Sequence, residues 1–153
     1  MMATPLVIKT AETPEEIQAA LEIRKKVFVR EQEIPDEMDS DGLDEEAIHV
    51  IALHGERVVA TGRLVMESAE HGVLARIAVL PELRGAKLGQ KVVLQLEAEA
   101  QRAGAKLVSL HPHRGLETFY ARLGYHTIEG TSVVGEHELI TMEKDLTGTG
   151  EAS

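Results

Sequence analysis

The run Arg84-Gly85-Ala86-Lys87-Leu88-Gly89 stands between a strand and a helix, and no other stretch restricts the fold as much. Before it, Val73-Leu74-Ala75-Arg76-Ile77-Ala78-Val79-Leu80 reads as a strand that Pro81 stops. After it, Leu88 to Ala103 reads as a helix with Leu88, Val92, Leu96 and Ala100 on its buried face and Gly104 at its end. Leu107 to Leu110 is the next strand. Strand, long helix and strand in this order close as one βαβ unit, with the strands parallel and the crossover right-handed.

A short Gly-bearing loop that opens a helix aims several free backbone N–H groups at one point. The helix dipole adds partial positive charge there, and a phosphate or pyrophosphate is held in this way. Local charge agrees. Across residues 73–91, Arg76, Arg84, Lys87 and Lys91 stand against the single acid Glu82, in a chain whose net charge is −10. The loop is not a P-loop, because no Gly-Lys-Ser/Thr follows four residues after a first Gly, and it is not a G-x-G-x-x-G. Taken alone, it also fits an ordinary strand-to-helix connection.

A second stretch lies about one βα unit downstream: Phe119-Tyr120-Ala121-Arg122-Leu123-Gly124-Tyr125. The chain has two Phe, two Tyr and no Trp, so most of its aromatic surface falls here. Leu116, Phe119, Tyr120 and Leu123 have helical spacing, and Gly124 suits the C-cap. Core packing accounts for Phe119 and Leu123. It accounts less well for Tyr120, since a buried phenol needs a partner for its hydroxyl.

Together the two stretches resemble the GNAT superfamily of acyl-CoA-dependent N-acyltransferases. The order of strand, Arg-x-x-x-x-Gly loop, long helix, strand and Phe-Tyr-x-x-x-Gly-Tyr helix matches. Val27-Phe28-Val29-Arg30-Glu31-Gln32, and Asp41-Gly42-Leu43-Asp44 followed by His49, look like the small bacterial ElaA/YjcF-like branch. That branch is distantly similar to acyl-homoserine lactone synthases. The resemblance covers roughly residues 6–145. It implies an α+β (mixed α/β) GNAT fold: a central twisted mixed sheet of six to seven strands flanked by helices, forming one acyl-CoA N-acyltransferase domain over residues 1–153. Residues 147–153 are small and polar and read as a flexible tail.

The resemblance also implies a site. Acyl-CoA, here acetyl-CoA as co-substrate, would lie across the splayed ends of the two parallel strands. Peptide groups of Ile77, Ala78 and Val79 would pair with its pantetheine arm, and Arg84, Gly85, Ala86, Lys87, Leu88, Gly89 and Gln90 would hold its pyrophosphate. Tyr120 matches the family tyrosine near the thioester sulfur, where a phenol can protonate a departing thiolate after an amine attacks the carbonyl. An N–H of the 77–79 strand can polarise the thioester oxygen. Transfer is direct, so the absence of cysteine is no obstacle. The family loop is usually Arg/Gln-x-x-Gly-x-Gly/Ala, and Lys87 stands where the first Gly is expected. A lysine sits there without strain if its φ is negative.

The general base stays open among Glu31, Asp41, Asp44, His49, His111 and His113. Substrate contacts are assigned to Glu31, Asp41, Asp44 and His49. His111-Pro112-His113 is half of a metal-site pattern, but no third ligand is placed by sequence, so no metal is expected. Residues 30–47 carry nine acids against Arg30. In this fold that connection shapes the acceptor site, and a negative wall there attracts a cationic amine such as a polyamine, an aminoglycoside or a lysine side chain. A solvated acidic loop is the alternative. A small-molecule or protein amine is the expected partner. Longer acyl donors, and a non-catalytic acyl-CoA sensor, also stay open.

Composition excludes other classes. A length of 153 residues suits one domain with a real core. No window reaches the roughly 18 consecutive apolar residues that a membrane span needs. No secretory leader is read at the N-terminus. Zero cysteines remove disulfides and thiolate metal sites and fit a cytoplasmic location. The pI near 5.1 argues against nucleic acid. Family members often dimerise, which makes a homodimer the expectation. Elsewhere, Leu6 to Lys9 reads as a strand. Thr13, Pro14 and Glu16 form a helix start with a capping box. Ile17, Ala20, Leu21, Val27 and Phe28 form that helix's apolar stripe. Ile48–Leu53 and Arg57–Met66 form a hairpin across His54-Gly55-Glu56. Ala69 to Gly72 reads as a turn, and Tyr125–Ile128 and Glu138–Met142 as the last two strands.

Overall fold

The computed structural model describes residues 6–27, 46–81, 87–134 and 137–147. Its strands are β1 (Leu6–Thr10), β2 (Ile48–His54), β3 (Arg57–Met66), β4 (His71–Val79), β5 (Leu107–Leu110), β6 (His126–Val134) and β7 (His137–Asp145). Its helices are α1 (Pro14–Arg24), α2 (Leu88–Arg102) and α3 (Glu117–Arg122), the last preceded by a 3-10 turn at Arg114–Leu116. The strands form one sheet in the order β1-β2-β3-β4-β5-β7-β6. Only β4 and β5 pair in parallel; every other neighbouring pair is antiparallel. The expected mixed sheet and βαβ unit are therefore present. No helix among the described residues is long and apolar enough to cross a membrane.

Local chemistry explains the start of α1. The Glu16 N–H donates to Thr13 Oγ1 at 3.1 Å, and Glu16 Oε1 accepts the Thr13 N–H at 3.3 Å. Pro14 supplies a pre-set φ in the first turn. The buried face agrees with the sequence reading at Ala20 and Val27 but not throughout. Ala20, Ile23, Arg24 and Val27 are buried, while Ile17 and Leu21 are only partly so. Those four have i, i+3, i+4, i+7 spacing, but one is an arginine at 1% exposure, and an apolar count passes over it. Phe28 lies outside the described residues.

Three strand boundaries differ from expectation. The His71 carbonyl accepts the Glu67 N–H at 2.8 Å, so the turn closes by residue 70 and His71 and Gly72 join β4. β6 and β7 run well past the residues read from sequence, because they sustain each other's ladder across a bulge between Ile128 and Thr131. The β2–β3 hairpin turns on Gly55 at φ 67°, with His54 paired to Arg57.

Two irregularities of β4 shape the centre of the molecule. Arg63 pairs with Ala75 and Thr61 with Ala78, so Gly62 stands opposite both Arg76 and Ile77. This is a β-bulge, and Arg76 makes it by taking φ 57°. The extra residue flips the side-chain parity of the strand. Before the bulge even-numbered residues face α2: a Cβ on Gly72 would lie 3.6 Å from Ala100 Cβ. After it odd-numbered residues do: Ile77 lies beside the Val92 and Leu96 contacts of Gly62, and Val79 beside Gly89. The second irregularity is the short parallel ladder. β4 and β5 pair at His71–Leu107, Gly72–Val108 and Val73–Ser109, and no further. Beyond Val73 the strands part.

Candidate active site

The gap between β4 and β5 opens toward the N-terminus of α2. Ala78 is in the core at 2% exposure, and Ile77 and Val79 pack against that core with partly buried side chains. The side chains of this strip pack on the core, Ala78 fully and Ile77 and Val79 in part. Beside the strip, Leu88 buries its side chain at 2% exposure and Gln90 is half-buried. The first turn of α2 carries no acidic residue, and its N-cap Lys87 makes no side-chain cap hydrogen bond. Arg84, Gly85 and Ala86 lie outside the described residues.

Lys87 corrects an expectation. It is the N-cap of α2 at φ 63°, ψ 22°, in the left-handed region rather than at negative φ. The backbone at this point demands the conformation a glycine supplies, and a lysine adopts it at a cost of about 1–2 kcal/mol. Lys87→Gly should therefore stabilise the fold. Set against the extra freedom glycine has when unfolded, the gain is roughly 0.5–1 kcal/mol. A chemical-denaturation midpoint that falls instead would show that the lysine side chain supports the fold.

The second motif meets the first here. A Cβ on Gly89 would lie 3.7 Å from Phe119 Cζ and 4.0 Å from Val79 Cγ2, so α3 abuts the first turn of α2 and the end of β4. Tyr120 is buried at 5% exposure. Its ring stands edge-on to Phe119 at 4.9 Å and to Tyr125 at 5.9 Å. Among the described residues its hydroxyl makes no hydrogen bond. Burial alone pushes the Tyr120 phenol up to about 12, so it stays protonated at any working pH.

That shift predicts an alkaline weakness. Tyr120 ionises near 10 when unfolded and near 12 when folded. Below pH 10 the fold loses nothing to this group; as pH rises from 10 through 12 the unfolded chain ionises and the folded one does not, and about 2–3 kcal/mol of stability is lost. Burial and the neighbouring Glu97 carboxylate push Tyr125 up as well, adding to the same loss. Melting temperature should fall steeply above pH 10 in the parent and less so in Tyr120→Phe. Equal slopes would contradict the assignment.

Sequence reasoning missed the support beneath α3. The Tyr125 hydroxyl donates to Glu97 Oε2 at 2.8 Å, and Lys144 Nζ donates to Glu97 Oε1 at 3.0 Å. The ammonium also stands 5.7 Å from the Tyr125 ring centroid. Glu97 is 7% exposed on the buried face of α2. A signal was present: Glu97 lies four residues after Val93 and three before Ala100, on the face that packs.

The remaining candidates are dispersed. His49 is 2% exposed in β2, cross-strand from the buried Arg63. Val50 is opposite Gly62 and so faces α2; His49 therefore faces the other way, on the side where Ile51 packs with Ala20 of α1. Arg24, on α1, is also buried. Glu31, Asp41 and Asp44 lie outside the described residues. His111 is exposed, with Nδ1 3.2 Å from Thr141 Oγ1, and His113 forms a β-bridge to Leu139. Among the described residues no group of three His, Cys, Asp or Glu could hold a metal ion. At the closed end of the β4–β5 pair, His71 Nε2 lies 2.9 Å from Ser109 Oγ and His71 Nδ1 lies 3.3 Å from Glu67 Oε1. The order is that of a hydrolytic triad. Ser109, however, is 4% exposed in a strand paired on both sides, which leaves no approach for a substrate. These contacts tie the strand starts together.

Comparison with known proteins gives one consistent picture. The acetyltransferase (GNAT) family model matches residues 15–125. An uncharacterised N-acetyltransferase of Bacillus subtilis (strain 168), YjcF, is 34% identical over 118 residues, spanning 77% of this chain and 84% of that protein. The crystal structure of Escherichia coli ElaA superposes with a TM-score of 0.79 at 24% identity, covering 92% of this chain and 98% of its own. An aminoglycoside 6'-N-acetyltransferase, solved in complex with coenzyme A, superposes with a TM-score of 0.75 at 16% identity, covering 92% and 97%.

Proposed function

The chain belongs to the acetyltransferase (GNAT) family, and from that premise we propose that it moves an acetyl group from acetyl-CoA to a primary amine by direct transfer. Enzymes of this family use acyl-CoA and act on amines. The observation that carries the reading is the parting of β4 from β5 after three residue pairs, with α2 and α3 meeting at the gap. Acetyl-CoA supplies the acyl group as an activated thioester. Its extended arm suits a strand edge, and its pyrophosphate suits a basic loop at a helix N-terminus.

The chain's own residues then take these roles. Peptide groups of Ile77, Ala78 and Val79 align the arm, and an N–H among them polarises the carbonyl oxygen. The segment from Arg84 to Gln90 holds the pyrophosphate through backbone N–H groups, with Arg84 and Lys87 adding charge. As the C–N bond forms and the C–S bond breaks, Tyr120 gives its proton to the departing sulfur; the proton that the amine nitrogen loses passes to water, and the phenolate takes one back from solvent. A phenol near 12 is a weak acid but a fully protonated one, and it meets a thiolate that needs only partial help to leave. The acids of residues 30–47, Glu31, Asp41 and Asp44 among them, draw a cationic acceptor toward the site. His49 is buried within β2 on the α1 side of the sheet, so its assignment to the acceptor requires the acceptor to approach from that side. Membership also favours a homodimer in the cytoplasm; sedimentation equilibrium reads the first and cell fractionation the second.

The backbone outweighs the Lys87 ammonium in this reading. Lys87→Gly should bind acetyl-CoA at least as tightly as the parent; a tenfold loss in calorimetry would move the phosphate contact onto the side chain. The function itself is tested by thiol release. The chain has no cysteine, so a thiol reagent reads free CoA without protein background. Turnover with spermidine or an aminoglycoside, above that with a neutral amine such as glycinamide, is expected. No amine-dependent release with any acceptor would refute the proposal. Release from a long-chain acyl-CoA but not acetyl-CoA would reassign the donor.

A further inference from the structure

Two tyrosines stand edge to face at this site, and their hydroxyls are in opposite situations. Tyr125 spends its O–H on Glu97 at 2.8 Å. Among the described residues Tyr120 makes no such bond, so its proton remains available. We infer that Tyr125, held by Glu97 and Lys144, is a positioning residue that orients Tyr120 and keeps its hydroxyl unclaimed; this rests on Tyr120 being the proton donor.

The contacts that carry this run through backbone and ring alike. The Tyr120 carbonyl accepts the N–H of Leu123 at 2.9 Å and of Tyr125 at 3.1 Å, so the turn after α3 closes on Tyr120 itself. Gly124 takes φ 101° in that turn, and a Cβ there would lie 3.1 Å from Lys144 Cε. The turn is therefore seated on the Lys144 stem, which no side chain separates from it. Lys144 comes from β7, Glu97 from α2 and Tyr125 from the residue before β6, so three elements converge to fix one ring. That ring packs against the Tyr120 ring in a T-shaped pair with centroids 5.9 Å apart. Charge matters too. An unbalanced carboxylate beside the pair would hold phenolic protons in place, and Lys144 neutralises it at 3.0 Å. With its hydroxyl aimed at Glu97, Tyr125 does not compete for the Tyr120 hydroxyl or for the departing sulfur.

A double-mutant cycle on kcat at saturating acetyl-CoA tests this, with melting temperatures recorded for every variant. Tyr125→Phe should lower kcat about tenfold and leave the KM for acetyl-CoA within twofold. In a Tyr120→Phe background it should change kcat by less than twofold, since the residue it positions is already disabled. An equal loss in both backgrounds would mean a merely structural role and overturn the inference. So would an unchanged kcat in Tyr125→Phe. If Tyr120→Phe alone retains full kcat, the donor reading fails, and the inference falls with it by a different signature. Should Tyr125→Phe fold poorly, Glu97 serves instead. Glu97→Gln keeps an acceptor for the Tyr125 hydroxyl and should retain kcat within threefold, while Glu97→Leu should lose as much as Tyr125→Phe was expected to lose. Equal losses in Gln and Leu would remove the hydrogen bond as the agent.

Discussion

Tyr120→Phe should lower kcat about 100-fold while leaving the affinity for acetyl-CoA and the melting temperature nearly unchanged. Proton donation to a leaving group contributes typically 10²–10⁴-fold, and a thiolate needs the least help, which selects the low end of that range. Binding is spared because the proposed cofactor contacts are peptides of β4 and the loop before α2, not the phenol. Stability is spared because the lost hydroxyl has no hydrogen-bond partner among the described residues, so its removal orphans nothing. The ring stays, and with it the edge contacts to Phe119 and Tyr125. Tyr120→Ala would be a poor substitute. It leaves a cavity worth about 3–5 kcal/mol in the core and mixes folding with chemistry. A loss confined to kcat is the signature of an interaction made only in the transition state. Loss of acetyl-CoA affinity with kcat preserved would instead make Tyr120 a wall of the binding cleft.

Gly62→Ala should be the most damaging small substitution in the sheet. A Cβ there would lie 2.7 Å from both Leu96 Cδ1 and Val92 Cγ1 and 3.3 Å from Ile77 Cγ1. Those atoms end side chains, but Leu96 and Val92 are fully buried at 0% exposure, and valine in a helix has little rotamer freedom. The strain must pass to α2 or to β4, at about 1–3 kcal/mol. For a chain of this size that lowers the melting temperature by roughly 2–12 °C. Activity should fall beyond what stability explains, since Gly62 faces the bulge at Arg76 and Ile77 that aims the proposed binding strip. Val92→Ala removes one of the two clashing atoms. The double variant should then be more stable than the sum of the single losses. Gly115→Ala is the control: among the described residues nothing lies within 4 Å of its Cβ, and the melting temperature should not move. Equal effects at both glycines would show that the close packing of α2 on β3 is wrong.

What the sequence disclosed and what it withheld divide by the range of the causes. The capping box at Thr13 and Glu16, the hairpin at Gly55 and the βαβ unit are set by neighbours a few residues apart, and period and turn chemistry expose them. The bulge at Arg76 was not legible, because its partner Gly62 comes from another strand and an arginine does not announce a left-handed φ. Lys87 misled for the same reason. Its residue type argued for negative φ, while the conformation belongs to the loop. Arg24 and Glu97 were hidden by charge: each lies on a packed helix face, and each is counted as solvent-exposed by pattern. The two motifs that carry the resemblance do meet in the fold, at Gly89 and Phe119. The resemblance could not reveal that Tyr125 was engaged elsewhere, since Glu97 and Lys144 are 28 and 19 residues away in sequence.

Thermal unfolding with and without acetyl-CoA tests the central claim most directly, with ATP and NAD as phosphate-bearing controls. At a Kd of about 10 μM, roughly 1 mM ligand adds about 2.7 kcal/mol to the folded state. That corresponds to a shift of about 5–10 °C. A shift of that size with acetyl-CoA, and little with ATP or NAD, is the predicted result. No shift, or the same shift with all three, would contradict the account: the segment from Arg84 to Gln90 would then be a connection or a general anion site, and the parted strands would hold no acyl-CoA.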